Sequence, residues 1–145
     1  MMTNERFNQE KQILDHYLGR SMGQKSFAFN GLSSLKAVVK TNNNKVYVLY
    51  FDLSTFPVTK PKVYVTQMLY TKNGAPMDSP DGANHTLSSW NGWTQLCHYA
   101  DNQWTYDITL WHVYLKCRVW LEMYQAHLRT GRTMGSMLKH QTSHV

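Results

Sequence analysis

The sequence predicts an α+β domain: an N-terminal helix, an antiparallel meander of three to four strands, a long loop and a long C-terminal helix. Three observations carry that prediction. Apolar residues recur at helical spacing near both ends of the chain. Between them, runs rich in Val and Tyr flank an Asn-rich turn. The stretch after those runs, residues 72–91, is dominated by Gly, Pro, Asp, Asn and Ser and follows neither period.

A chain of 145 residues suits one domain, 1–145, because single cores run to about 100–200 residues. Its 42% hydrophobic and 13% aromatic content supplies enough apolar surface to offset chain entropy, which argues against wholesale disorder.

The first element is "NERFNQEKQILDHYLGRS", in which Phe7, Ile13, Leu14, Tyr17 and Leu18 form an amphipathic stripe and Gly19 and Gly23 end the helix. Next, "LSSLKAVVKTNNNKVYVLYFDL" reads as a hairpin turning at Asn42 to Asn44. "KPKVYVTQMLYT", with Val63 and Val65 alternating, adds a third strand. Residues 72–91 are too long for an ordinary connection, and long ordered loops of this kind carry function. The last element, "YDITLWHVYLKCRVWLEMYQAHLRTG", is a helix capped by Asp107, striped by Leu110, Tyr114, Cys117, Leu121, Tyr124 and Leu128, and closed by Gly131. Residues 132–145 are expected to form a flexible tail.

No run approaches the roughly 20 apolar residues of a membrane span, and the polar start "MMTNERFNQEKQ" lacks the apolar core of a signal peptide. A cytoplasmic location is therefore expected, with both cysteines as free thiols. The formal charge of +6 raises the question of a nucleic-acid or acidic protein partner, but the charges are scattered and no run of five basic residues occurs. A nucleic-acid partner is accordingly not expected, nor is a membrane partner.

The two cysteines read differently. Cys117 lies on the apolar stripe of the last helix, where a thiol behaves as a small hydrophobe. Cys97 follows the long loop, where a thiol is accessible; it is either a nucleophile or a small apolar residue among Trp93, His98, Tyr99 and Trp104. His85, twelve residues upstream, is the candidate imidazole; His98, adjacent on an extended segment, points to the other face and is the poorer base. His98 and Cys117 are kept as possible secondary site residues. The spacing offers no zinc site, because the cysteines are twenty residues apart and unpaired, and His112 and His127 are too far apart to share a metal. Phosphate-loop and hydrolase-elbow motifs are absent, and a Cys-His hydrolase lacks an evident orienting residue.

This order of parts resembles a ubiquitin-conjugating enzyme: the helix near residues 5–18, the strands between 33 and 70, "GANHTLSSWNGWTQLC" ending in Cys97, Trp104 seven residues later, and the helix near 107–129. "HTLSSWNGWTQLCHY" and the later Trp120, Leu121, Tyr124, Thr130 and Gly131 are more specifically similar to bacterial members of that superfamily found in CBASS antiphage defence operons beside a cGAS-like nucleotidyltransferase. The eukaryotic family carries His-Pro-Asn shortly before its cysteine, whereas here His85 is followed by Thr86 and Leu87; the Asn role is unassigned, with Asn84 and Asn91 nearby.

The resemblance implies a ubiquitin-conjugating-enzyme-like fold and a cysteine-dependent acyl transferase. Cys97 would take a protein C-terminus as a thioester, with His85 in support, and pass it to a nucleophile. The implied cargo is the C-terminus of the nucleotidyltransferase, whose conjugation primes second-messenger synthesis; no cofactor or metal is implied. A homodimer is left open. The alternatives are a catalytically silent adaptor of the same fold, a Cys-His hydrolase and a small basic nucleic-acid binder.

Overall fold

A computed structural model describes residues 1–21 and 24–137. Helix α1 (Asn4–Tyr17) begins where Thr3 Oγ1 accepts the Arg6 N–H at 3.1 Å, and it gives way at Gly19, whose φ of +57° a side chain would strain. A two-residue ladder, β1 (Arg20–Ser21) against β2 (Gln24–Lys25), leads into the main sheet. That sheet comprises β3 (Phe27–Asn30), β4 (Ser34–Lys40), β5 (Val46–Asp52), β6 (Lys62–Val65), β7 (Thr86–Trp90) and β8 (Trp93–Leu96). Helix α2 (Leu110–Thr130) follows.

The fold is α+β, with an antiparallel sheet in the order β3-β4-β5-β6-β8-β7. Six strands exceed the three to four expected. The hairpin at Asn42 to Asn44 is present, with Asn44 at φ +67° and the Thr41 N–H donating to the Lys45 carbonyl at 2.8 Å. The additional strands are β3, β7 and β8, and β7 corrects the reading of residues 72–91 as an irregular loop. Asn91 and Gly92, at φ +57° and +72°, make a two-residue turn that pairs Trp90 with Trp93. The residues before β7 are also tied down. Met77 N–H donates to the Leu69 carbonyl at 2.8 Å, Tyr124 Oη–H to the Tyr70 carbonyl at 2.7 Å, and Lys72 N–H to His127 Nε2 at 3.0 Å.

Strand alternation sorts the side chains. Leu35, Ala37, Val39, Leu49, Phe51, Val63 and Val65 face the core with Leu14 of α1 and Leu110, Val113, Cys117, Trp120 and Leu121 of α2. Lys36, Val38, Tyr50 and Lys62 lie on the opposite face. The N-cap of α2 is Thr109, whose Oγ1 accepts from His112 N at 3.2 Å; Asp107 lies outside the helix and bonds Thr105 instead. A carboxylate reaches that helix start from α1 instead. Glu10 is buried, accepts the Leu110 N–H at 2.7 Å and pairs with Arg6 at 2.9 Å, while Arg6 also donates to the carbonyls of Tyr106 and Ile108. At the other end Gly131, φ +76°, closes α2 with its N–H on the His127 carbonyl at 2.8 Å.

Of the expected tail 132–145, residues 138–145 lie outside the described residues. Within the described part, residues 134–137 are helical and Met134 is fully buried. Its N–H donates to Asn84 Oδ1 at 3.3 Å, so packing continues past Gly131.

Candidate functional site

Cys97 lies one residue beyond β8, where β6 and β8 begin to part. On one side the ladder continues for a step: the Cys97 N–H donates to the His85 carbonyl at 3.0 Å. The same carbonyl accepts the Trp120 indole N–H at 2.9 Å, so one acceptor joins the thiol's backbone to α2. His85 itself holds a left-handed φ of +53° just before β7. Of the residues proposed from sequence, His85 and Cys97 are thus backbone neighbours across the ladder.

On the other side lies an open hollow of about 500 Å³, lined among others by Lys60, Lys62, Leu87, Gln95, Cys97 and His98. Cys97 is half-buried and free. Gln95, two residues earlier, lines the same hollow; it is buried, and among the described residues no hydrogen bond occupies its side chain. Lys60 braces the rim, its Nζ donating to the Tyr99 carbonyl at 2.5 Å and pairing with Asp101 at 3.1 Å. Lys116 sits over the Tyr99 ring at 5.0 Å, and Trp104 anchors the outgoing chain through a 2.9 Å bond to the Pro57 carbonyl.

His98 is engaged elsewhere. A carbonyl only accepts, so the 2.7 Å contact between His98 Nε2 and the Pro61 carbonyl places the ring proton on Nε2. Nδ1 is buried without a partner. Burial lowers the ring pKa to about 4, outweighing the Pro61 carbonyl; Lys60 and Lys116 push the same way and Asp101 opposes them. The ring is neutral at neutral pH and holds the turn after Cys97.

Cys117 is fully buried on the core face of α2. Burial pushes its thiol far above the ordinary range, and the nearby Cys97 adds to the shift. The two thiols are therefore neighbours with opposite surroundings: one opens on a hollow and the other is sealed.

The remaining candidates have structural partners. Asn84 is buried, with Oδ1 on the Met134 N–H and Nδ2 on Asp81 at 3.2 Å, and Asn91 forms the β7–β8 turn. Sequence reasoning missed Gln95 and Lys60. Strand alternation from Cys97 would have found the first; Lys60 comes from a distant connection and left no local signal. Among the described residues, no group of three or more His, Cys, Asp and Glu side chains is arranged to hold a metal ion, and no helix is long and apolar enough to cross a membrane.

No family model, curated protein or solved structure matches this chain.

Proposed function

We propose that the chain is a ubiquitin-conjugating-enzyme-like acyl carrier in which Cys97 holds a protein C-terminus as a thioester and transfers it to a nucleophile. The observation that carries the proposal is the contrast between the thiols: Cys97 lines an open hollow, whereas Cys117 is sealed in the core. The order of helix, antiparallel sheet, cysteine and long helix supports the same reading.

In the forward step the Cys97 thiolate attacks an already activated carbonyl, a thioester or mixed anhydride; the C–S bond forms and the activating group leaves. In the second step an amine attacks the thioester, the thiolate leaves and an amide forms. Thioesters are intrinsically reactive, so the site mainly positions the partners and stabilises the developing oxyanion. The Cys97 N–H is committed to the His85 carbonyl and cannot serve as that donor. Gln95, which lines the hollow and has no side-chain partner among the described residues, takes the role that Asn84 and Asn91 do not. His85 holds Cys97 in place through its backbone carbonyl.

The resemblance to bacterial defence proteins supports a specific cargo, the C-terminus of a cGAS-like nucleotidyltransferase. Co-expression with such a nucleotidyltransferase, with intact-mass detection of a covalent adduct in Cys97→Ala and Cys117→Ala variants, tests the assignment. The competing reading is a silent adaptor. Iodoacetamide labelling of folded protein separates the two, because an inert Cys97 favours the adaptor.

A further inference from the structure

The face of the sheet opposite the helices carries a feature that acyl transfer does not use. Tyr50, Tyr64, Trp90 and Trp93 form one cluster there, with Trp90 at 5.8 Å from Tyr50, 5.6 Å from Tyr64 and 5.5 Å from Trp93 between ring centroids. Tyr64 is covered, but Trp90 remains 51% exposed at the tip of the β7–β8 hairpin.

Strand register surrounds these rings with lysines. Lys36 pairs across the ladder with Tyr50, which pairs with Tyr64; one row along, Lys62 pairs with Asp52. Alternation places Lys36, Lys40 and Lys62 on this face against the single Asp52 of the same strands. Charges scattered in the sequence are thereby gathered by folding. Two hollows flank the aromatic ridge: one of about 320 Å³ lined by Lys36 and Tyr50, the other of about 500 Å³ lined by Lys62, Leu87 and Gln95. Lys36 and Lys62 stand two strands apart, about 10 Å laterally.

We propose that this face binds single-stranded nucleic acid, with bases stacking on the Tyr50, Trp90 and Trp93 rings and backbone phosphates meeting Lys36 and Lys62. Exposed rings supply sequence-tolerant stacking and flanking cations track the phosphates, which is the chemistry a single strand requires. A purely apolar protein partner would leave the interleaved ammonium groups desolvated and unpaired. The Lys62 side of this face borders the hollow that Cys97 lines, whereas Tyr50, Trp90 and Trp93 lie outside that hollow, so Trp90→Ala tests the stacking surface without touching the thiol site.

The test is fluorescence anisotropy of a labelled oligo-deoxythymidine of about 12 nucleotides, titrated with full-length protein across a salt series. Binding should weaken about tenfold or more in Trp90→Ala and be largely kept in Trp90→Phe, which retains a ring. Lys36→Gln and Lys62→Gln should each make the salt dependence shallower by roughly 0.7 in the log–log slope. Absence of binding at low salt, or binding indifferent to Trp90→Ala, overturns the proposal. Displacement by polyglutamate of equal charge, as effective as by unlabelled oligonucleotide, also overturns it and assigns the face to an acidic protein.

Discussion

The Trp120 indole N–H and the His85 carbonyl meet at 2.9 Å, and through that carbonyl α2 is tied to the Cys97 backbone. Trp120 lies one turn beyond Cys117 on the core side of α2, so the helix that seals one thiol also fixes the setting of the other. Trp120→Phe keeps a ring but removes the donor and some volume. It should destabilise the protein by about 2 kcal/mol in urea titration and speed iodoacetamide labelling of Cys97 by loosening its tether.

The Arg6–Glu10 pair joins α1 to the start of α2. Glu10→Ala leaves the Leu110 N–H unsatisfied and Arg6 without its carboxylate, and should cost about 3–5 kcal/mol by urea unfolding. Glu10→Gln retains an acceptor for Leu110 and should cost less. An equal loss in both variants would show that the carboxylate charge, not the hydrogen bond, carries the effect.

His98 gives a pH dependence. Its folded pKa of about 4 lies below the ordinary value of 6.5, so between those values the unfolded chain binds the proton more readily. The stability associated with the neutral ring is fully present above pH 6.5 and is lost as pH falls towards 4, at up to about 1.4 kcal/mol per pH unit. His98→Gln removes this contribution, so its stability should fall less than the wild type's between pH 6.5 and 4. Parallel profiles for the two proteins in urea titrations would contradict the account.

Gln95→Ala should slow thioester formation and discharge by roughly 10²-fold if its amide meets the oxyanion, while leaving Cys97 alkylation unchanged. Gln95→Glu, nearly isosteric but lacking the donor, should be as slow as Gln95→Ala. Wild-type rates in Gln95→Glu would remove Gln95 from the mechanism.

Much of this arrangement was legible in the sequence. The α1 stripe, the hairpin at Asn42 to Asn44, the Val63–Val65 strand and the α2 stripe each follow a period that burial imposes, and the contrast between Cys97 and Cys117 follows from the last of these. Strand β7 was hidden because Ser88 and Ser89 carry no apolar alternation; its signal was the Asn91–Gly92 turn, which fixes pairing through backbone conformation rather than hydrophobicity. Strand β3 is only four residues long and follows a weak ladder. Glu10 was hidden for a different reason: a carboxylate reads as solvent-facing until its partners, Arg6 and the distant Leu110 N–H, are in place. Lys60 joins the hollow beside Cys97 only when β6 and β8 pair, whereas Gln95 sits two residues before the thiol on β8 itself.

The most direct test of acyl transfer through Cys97 is the intact mass of protein co-expressed with a cGAS-like nucleotidyltransferase, recorded before and after hydroxylamine. Acyl transfer through Cys97 gives an adduct of the combined mass less one water that hydroxylamine cleaves, that persists in Cys117→Ala and that is missing in Cys97→Ala. A hydroxylamine-labile adduct that survives in Cys97→Ala would contradict it.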